Sequence, residues 1–263
     1  MTLWHELKGG GQPVIFLHHG IADSRVWQPQ WSSLAPRHML VRCDFAGFGQ
    51  SPIGPLPLTP ARDVAALLDM LGIADAVVVG SSMGGRVALE LAVARPDLVS
   101  ALVLAAPALP GVNWSQAVRA YGEAEDDAVA GGDLAEATEV NLRMWVDGPN
   151  RTAADVEPGF RGAVEAMLLH ALEVQTPWWQ ELEEDLLVPD LGDRLGVVAV
   201  PTLVLVGDED VEDFQVLARR IASAIPDARL ATLARTAHFP NLEQPEAFDA
   251  LVLDFLARIA TTS

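Results

Sequence analysis

The sequence predicts an α/β fold with a mostly parallel central sheet and helices on both of its faces. Short apolar runs alternate with amphipathic helical patterns over the first 107 residues, and the alternation resumes near residue 200. Apolar runs of this length are typical of strands that are buried on both faces, as in parallel sheets. The predicted strands cover residues 13–19, 38–44, 75–80, 101–107, 200–210 and 227–234.

Start and stop signals define the helices between these strands. Thr59 as N-cap, Pro60 at the first helical position and Gly72 after the last one predict a crossover helix. A second helix over residues 85–97 ends near Pro96, because proline cannot continue a helix. Further helices are predicted over residues 213–225 and 245–259.

An acidic, helical stretch over residues 108–196 interrupts this alternation and carries four tryptophans. Within it, Asp133 and Glu136 have the spacing of a capping box at a helix start. We therefore predict that residues 1–107 and 197–263 form the core and that residues 108–196 form an inserted helical cap. The tryptophans are Trp114, Trp145, Trp178 and Trp179.

Charge and cysteine content narrow the classes of partner. The formal net charge is −19, from 36 acidic and 17 basic residues, and an acidic surface repels a phosphate backbone. Nucleic acid is therefore not an expected partner. Cys43 is the only cysteine, which excludes an intramolecular disulfide framework and a multi-cysteine metal site and favours a reducing compartment.

Targeting signals are not evident in the sequence. The opening MTLWHELKGG lacks the basic and long apolar regions of a signal peptide. No uninterrupted apolar run reaches the ~18–20 residues that a membrane-spanning helix needs. We therefore expect a cytoplasmic protein that acts on a small-molecule substrate and has no membrane partner, and the oligomeric state stays open.

A GxSxG pattern lies between a predicted strand and a predicted helix. Its members are Gly80, Ser82 and Gly84. Glycines permit a sharp turn at this place and leave the central side chain exposed, which is why such a turn can present a nucleophile. Ser82 is the candidate nucleophile, and Ser81 occupies the variable position of the pattern.

A serine nucleophile needs a base, and the base needs a third group that holds its tautomer. Among the six histidines, His238 is the candidate base because it follows the last predicted strand and can reach the carboxyl edge of the sheet. The acid is expected after the preceding strand, where Asp210 is favoured because the turn must first clear the strand end. Asp208 is the alternative.

The turn after the first long strand, LHHGIADS, is expected to supply half of an oxyanion hole. Backbone N–H groups that are preorganised in a turn can stabilise the negative charge of a tetrahedral intermediate. The candidate donors are the N–H groups of Ile21 and of Met83, which follows the nucleophile at the helix start. His19 is interpreted as a structural residue that orients this loop.

Five motifs at these loops are HHG (18–20), CDFAGFGQS (43–51), GSSMGG (80–85), GDED (207–210) and AHFPNLEQPEAF (237–248). Together they resemble the α/β-hydrolase superfamily, over nearly the whole chain outside the cap. Within it the sequence is similar to small bacterial 3-oxoadipate enol-lactonases, carboxylesterases and C–C bond hydrolases. The resemblance implies the α/β-hydrolase fold with a catalytic triad of Ser82, Asp210 and His238. It also implies Ile21 and Met83 as oxyanion donors and no cofactor or metal.

The first functional hypothesis is a serine hydrolase that cleaves a carboxylic ester, thioester or lactone through an acyl-enzyme. The same triad supports C–C bond hydrolysis and lyase or perhydrolase activities, and a non-catalytic receptor for a small ligand is a third alternative. Haloalkane dehalogenases and epoxide hydrolases of this fold use aspartate where this chain has Ser82, so neither activity is implied.

Three cap residues are candidates for contact with the substrate. Trp145 and Met144 can wall an apolar pocket, and Arg143 can bind the anionic group that lactone substrates carry. Arg161 is a second candidate cation, and a solvated helix face is the alternative interpretation of both arginines. The natural substrate, its chain length and the stereoselectivity stay open.

Overall fold

A seven-stranded sheet in the order β1-β3-β2-β4-β5-β6-β7 lies at the centre of the computed structural model, which describes residues 2–261. Adjacent strands run parallel except at β1, which pairs antiparallel with β3. The strands are β1 His5–Gly9, β2 Gln12–Leu17, β3 His38–Cys43, β4 Ala76–Ser81, β5 Val99–Ala105, β6 Thr202–Gly207 and β7 Ala228–Leu233.

The strands that the sequence predicts are confirmed as β2 to β7, and the predicted α/β fold with a mostly parallel sheet is confirmed with them. The edge strand β1 is an addition that the apolar pattern did not indicate. Its sequence HELKG is short and largely polar, and its side chains are half-buried or exposed. It is held instead by its register against β3, from His5 opposite Cys43 to Gly9 opposite Met39.

Ten α-helices are found in the described range 2–261, and none of them is long and apolar enough to cross a membrane. A π-helical turn, Leu142–Asp147, follows the fifth. The helices are α1 Gln28–Ser33, α2 Pro60–Leu71, α3 Met83–Ala94, α4 Gln116–Ala130, α5 Leu134–Asn141, α6 Pro158–Gln175, α7 Leu191–Arg194, α8 Glu212–Ala224, α9 Pro240–Glu243 and α10 Pro245–Ala260.

The ends of α2 follow the predicted signals. Thr59 precedes the helix, Pro60 opens it, and Gly72 closes it in a left-handed conformation with φ 69°. The Thr59 hydroxyl faces Asp63 Oδ2 at 3.4 Å and caps no backbone N–H. At the start of α5, the Asp133 side chain accepts the N–H of Glu136, as expected of an N-cap.

Both faces of the sheet are buried. One face packs against α2, α3 and α8, and the other packs against α1 and α10. Side chains of one strand alternate between the two faces, because successive residues of a strand point in opposite directions. Val78 and Leu102 belong to the first face, and Val79 and Val103 belong to the second.

Helices α4 to α6 lie between β5 and β6 in the chain and pack on one another through a small apolar cluster, Val129, Ala137, Leu168 and Leu172. Residues 187–195, which follow α6 in the same stretch, pack on the sheet layer instead of in this small cluster. Leu191 and Leu195 are buried in the core cluster on the α3 face. The Glu90 carboxylate of α3 also accepts the N–H of Leu187 at 2.7 Å. Residues 187–195 therefore form part of the layer beside α3.

The glycines around Ser82 allow backbone to meet backbone. A Cβ on Gly80 would lie 2.2 Å from the carbonyl oxygen of Gly84, and a Cβ on Gly84 would lie 2.3 Å from the carbonyl oxygen of Leu17. Neither partner is a flexible side chain that could move aside. These two contacts bring the start of α3 against the ends of β4 and β2.

We expect Gly80→Ala to lower the free energy of unfolding by about 2–3 kcal/mol, because the new methyl group forces backbone atoms apart in a close-packed region. Urea denaturation followed by circular dichroism measures the change. Gly162→Ala is the matched control: Gly162 lies within α6, and a Cβ added to it would meet no side chain and no other part of the chain within 4 Å beyond the backbone of its own helical turn and its chain neighbours. The control should gain about 0.5–1 kcal/mol, since alanine favours helices. Equal stability of the two variants would contradict the steric argument.

Candidate active site

Ser82 occupies the turn between β4 and α3 with φ 52° and ψ −112°, a conformation that residues with a Cβ rarely adopt. Such a conformation costs about 1–3 kcal/mol and persists only where its surroundings hold it. Here the Ser82 N–H donates to the carbonyl of Ala105 at 2.9 Å, and the Ala108 N–H donates to the carbonyl of Ser82 at 3.1 Å. The end of β5 and the loop after it therefore hold the turn.

The neighbouring Ser81 is fully buried and already bonded. Its hydroxyl donates to the carbonyl of Ala105 at 3.0 Å, and its oxygen lies 2.7 Å from Nε2 of His19. Ser82, in contrast, lines a cavity. Of the two adjacent serines, Ser81 is therefore buried inside the fold and Ser82 faces the cavity.

His238 and Asp210 lie beside each other at the carboxyl edge of the sheet. Nδ1 of His238 donates to Asp210, at 3.0 Å from Oδ2 and 3.2 Å from Oδ1. The Asp210 carboxylate also accepts the N–H of Val211 at 2.8 Å. With its hydrogen on Nδ1, the ring has Nε2 as the atom that can accept a proton.

The alternative acid, Asp208, has a different partner. Its Oδ1 accepts the backbone N–H of Arg235 at 2.5 Å, and the residue is exposed. Of the two candidate acids after β6, Asp208 and Asp210, Asp210 is therefore the one bonded to His238.

Aromatic rings surround His238. The Phe214 ring meets it edge-on at 4.4 Å between centroids, and the Trp145 ring lies at 4.8 Å. The His238 backbone N–H donates to the carbonyl of Trp145 at 3.3 Å. The helical insertion thus holds the loop of His238 through Trp145. Sequence reasoning missed Phe214, which the pattern of α8 marks only as an apolar residue.

The two histidines after β2 are structural ties. Burial lowers the pKa of His19 well below its usual range and favours the neutral ring. The hydrogen on its Nε2 is shared between the oxygen of Ser81 at 2.7 Å and the carbonyl of His238 at 3.2 Å. Burial also lowers the pKa of His18. Nδ1 of His18 donates to the carbonyl of His19 at 2.6 Å, and its Nε2 accepts the N–H of Phe45 at 2.9 Å.

A cavity of about 320 Å³ joins several of the predicted site residues: Ser82, His238, Ile21, Met83 and Trp145 all line it. The turn that carries Ile21 packs against the start of α3. A Cβ built on Gly20 in this turn would lie 3.7 Å from Cβ of Met83, which is van der Waals distance. Leu168 and Leu172 of α6 supply an apolar wall.

Met144 and Arg143 lie elsewhere. Both line a second cavity of about 650 Å³, which neither Ser82 nor His238 reaches. Arg143 is exposed and pairs with Glu136 at 2.9 Å and with Glu139. Adjacent residues on a helical turn point in different directions, so the turn that directs Trp145 to His238 directs its two predecessors away.

The other cation considered for the substrate, Arg161, is also paired within the insertion. Its guanidinium binds Asp147 at 2.9 Å and Glu139 at 3.0 Å. The side chain is mostly buried by these contacts. Arg161 therefore joins α6 to the π-helical turn.

Polar side chains form one side of the first cavity. Arg86 of α3 binds Glu90 at 2.6 Å and also Glu184. Glu125 and Tyr121 of α4 line the same cavity and contact each other at 3.0 Å. Over residues 2–261 no group of three or more histidine, cysteine, aspartate or glutamate side chains is placed to hold a metal ion.

The sequence profile of the Alpha/beta hydrolase family matches residues 14–251 of the chain. The chain belongs to this family. The matched range contains the turns after β2, β4 and β7, which line the cavity, and the turn after β6, whose Asp210 binds His238. The family resemblance that the sequence motifs indicate is thereby confirmed.

Two relatives and one solved structure illustrate the range of this family. A RutD protein of Azorhizobium caulinodans, named as a carbamate hydrolase, is 31% identical over 98% of this chain and 96% of its own. A 2-hydroxy-6-oxo-6-phenylhexa-2,4-dienoate hydrolase of Burkholderia cepacia is 25% identical over 95% and 89%. The enol-lactonase of Burkholderia xenovorans LB400 superposes with a TM-score of 0.80 at 25% identity, over 97% and 96%. The chain is thus an enzyme of the alpha/beta hydrolase type.

We expect Ser81→Ala to lower the free energy of unfolding by about 1–2 kcal/mol, because a buried hydrogen-bond donor and acceptor are lost between β5 and His19. Ser32→Ala, which removes an exposed hydroxyl, should change stability by less than about 0.5 kcal/mol. Urea denaturation of the three proteins measures the difference. A Ser81→Ala chain as stable as the Ser32→Ala chain would show that the buried hydroxyl is not a structural tie.

Proposed function

We propose that the protein is a serine hydrolase that cleaves a carboxylic ester, thioester or lactone through an acyl-enzyme. In this proposal Ser82 is the nucleophile, His238 the base and Asp210 the acid. The observation that carries it is that His238, hydrogen-bonded to Asp210, lines the same cavity as Ser82 at the carboxyl edge of the sheet. Ligands of parallel sheets bind at this edge.

The first half of the reaction acylates the serine. Nε2 of His238 takes the proton of Ser82 as the hydroxyl oxygen attacks the carbonyl carbon, and Asp210 stabilises the charge that forms on the imidazole. The carbonyl oxygen becomes an oxyanion, which accepts the N–H groups of Ile21 and Met83. Met83 is the first residue of α3, so the positive end of this helix also faces the oxyanion.

The second half of the reaction releases the acyl group. Before it begins, His238 has already given the Ser82 proton to the leaving group, when the first tetrahedral intermediate collapsed to the acyl-enzyme. It then takes a proton from a water molecule, which attacks the ester of Ser82 through a second oxyanion. Ser82 regains its proton from His238 when the acid product leaves, and the protein ends the cycle unchanged.

We propose that residues 108–196 act as the cap of this site. Tyr121 of α4, Leu168 of α6 and Trp145 contribute side chains to the cavity that Ser82 lines, which supports this role. Trp145 is the candidate for direct contact with the substrate. The apolar wall excludes water from the reacting carbonyl, which strengthens hydrogen bonds to the oxyanion.

Two further bonds are candidates for cleavage because relatives are named for them. A carbamate carries a carbonyl carbon that Ser82 can attack in the same way, and the RutD relative is named for carbamates. C–C bond hydrolysis is favoured by the dienoate hydrolase relative. Both need the same three residues, so a substrate panel with an ester, a carbamate and a dienone acid separates them.

We expect Ser82→Ala to lower kcat for a p-nitrophenyl ester by on the order of 10³- to 10⁶-fold and to abolish labelling by a fluorophosphonate, because no nucleophile remains. Ser81→Ala is the matched control, since its hydroxyl faces the interior. It should keep its label. Labelling that survives in Ser82→Ala, or disappears in Ser81→Ala, would overturn the assignment of the nucleophile.

We expect Asp210→Asn to lower kcat on the order of 10³- to 10⁴-fold, because an amide no longer holds the His238 hydrogen on Nδ1. Asp208→Asn tests the alternative acid and should change kcat less than about threefold, since that side chain binds a backbone N–H. Steady-state ester hydrolysis at pH 7 measures both. The opposite order of effects would move the role of the acid to Asp208.

A further inference from the structure

We propose that Glu125 is a neutral carboxylic acid in the native protein at pH 7 and makes the cavity selective for acyl groups without a charge. The protonation rests on the hydrogen-bond geometry and burial of Glu125 and its neighbours, and it does not depend on the reaction. The selectivity rests on the proposed hydrolase function, because Glu125 and Ser82 line the same cavity.

Glu125, Tyr121 and Asn141 form a closed ring of three polar contacts. Oε2 of Glu125 lies 3.0 Å from the phenol oxygen of Tyr121. That phenol oxygen lies 2.7 Å from Oδ1 of Asn141. The ring closes where Nδ2 of Asn141 donates to Oε1 of Glu125 at 2.6 Å. Each of the three contacts needs one hydrogen between its two heavy atoms.

The orientation of the Asn141 amide is determined by a fourth contact. The side chain is fully buried, and its Nδ2 lies 2.9 Å from the carbonyl oxygen of Ala137, which can only accept. Exchange of the two amide atoms would place Oδ1 against this carbonyl. Asn141 therefore gives one hydrogen to Ala137 and one to Glu125, and its Oδ1 accepts.

The ring lacks one hydrogen if Glu125 is ionised. Tyr121 keeps its phenol hydrogen, because burial raises the pKa of Tyr121 well above its usual range. This single hydrogen can serve the contact with Asn141 or the contact with Glu125, and the other contact would then join two lone pairs. A proton on Oε2 of Glu125 completes the ring: Glu125 donates to Tyr121, Tyr121 to Asn141, and Asn141 to Glu125.

The groups around Glu125 agree with this protonation. Burial is the main cause that raises the pKa of Glu125, and the charge of Asp126 on the same helix acts in the same direction. A hydrogen bond donated by Asn141, and one that Tyr121 could donate only to an ionised Glu125, favour the charged form and act in the opposite direction. From α5, which packs on α4, the residue that contacts the carboxyl is Asn141, an uncharged one.

The cation that shares this cavity is already compensated. Arg86 of α3 is bonded to Glu90 and Glu184, two carboxylates outside the ring. An anionic acyl group would therefore meet a paired guanidinium, and a cationic one would meet a neutral acid. Moving a charge from water into a site without a partner is unfavourable. The site is suited to an uncharged acyl group.

Glu125→Gln tests the protonation, because a glutamine amide has the same arrangement as a protonated glutamate. Its N–H can donate to Tyr121, and its carbonyl oxygen can accept from Asn141. In the unfolded chain a glutamate loses its proton at about pH 4.3, whereas the native Glu125 keeps its proton to a higher pH. The native state then binds one proton more than the unfolded state, so wild-type stability falls as the pH rises. We expect the unfolding equilibrium constant of the wild type, divided by that of E125Q, to rise about tenfold per pH unit, and about 100-fold from pH 5 to pH 7.

A ratio that stays flat from pH 5 to pH 7 means that native Glu125 is ionised and overturns the proposal. So does an E125Q chain that cannot fold at pH 7, because its amide has the hydrogens of the acid. Tyr121→Phe, compared with the Y121F/E125Q double variant, removes the partner of the acid hydrogen. The ratio of the unfolding constants of these two variants should stop rising at a lower pH than the ratio of wild type to E125Q. If both ratios stop rising at the same pH, the proposed hydrogen-bonded ring is wrong. These measurements need no enzymatic activity.

Three p-nitrophenyl esters with acyl chains of equal length test the selectivity. The chains end in tert-butyl, trimethylammonium or carboxylate. We expect kcat/KM at pH 7 to be about tenfold or more higher for the tert-butyl ester than for either charged one. The ratio between the two charged esters should agree within about threefold in wild type and E125Q, because neither protein has a charge at residue 125.

A wild-type preference for a charged ester overturns the selectivity. A fall of about tenfold or more in the ammonium-to-carboxylate ratio on going to E125Q reveals a carboxylate in the wild type and overturns the protonation. If no ester is cleaved while the stability ratio rises as expected, the proposed hydrolase function fails and the assignment of a neutral Glu125 stands.

Discussion

Backbone meets backbone at the end of β4, and the geometry of the site depends on this contact. Gly84 lies against the carbonyl of Leu17, and Gly80 lies against Gly84, with no room for a Cβ at either place. The contact sets the start of α3 against the ends of β4 and β2 and places its first residue beside the turn after β2. Ser82, at the junction, is left in a strained conformation that the chain after β5 holds by hydrogen bonds. The fold thus concentrates local strain at the residue that faces the cavity.

The loop of His238 is held from several directions at once. Asp210 binds its ring, His19 binds its carbonyl, and Trp145 accepts its backbone N–H. The first comes from the turn after β6, the second from the turn after β2, and the third from the helical insertion between β5 and β6. A single residue is therefore bonded both to the edge of the sheet and to the insertion. These bonds fix the two parts relative to each other around the cavity.

The sheet and the candidate triad could be predicted because each depends on a local pattern. Apolar runs mark the buried strands, and the glycines around Ser82 mark the sharp turn. The choice between Asp210 and Asp208 needed only the length of one turn. The edge strand β1 escaped prediction because its sequence is polar and only pairing with β3 makes it a strand.

The side of the cavity formed by the helices between β5 and β6 could not be predicted in the same way. Arg143, Met144 and Trp145 are consecutive, and only packing against His238 decides which of them turns inward. No sequence pattern marks Glu125. Its proposed protonation depends on Asn141 in the next helix and on the carbonyl of Ala137, which orients the Asn141 amide. Contacts between helices, rather than patterns within one, determine these side chains.

The order of the chain also has a kinetic consequence. Leu102 of β5 pairs with Thr202 of β6, so the two strands meet only after the whole helical insertion has been synthesised. Closing so long a loop slows the pairing, although the helices within it form from local contacts and shorten the search. The turn of Ser82 can therefore form on the nascent chain well before Asp210 and His238 leave the ribosome. During that interval the proposed nucleophile, Ser82, has neither Asp210 nor His238 beside it, and the growing chain cannot yet carry out the proposed reaction.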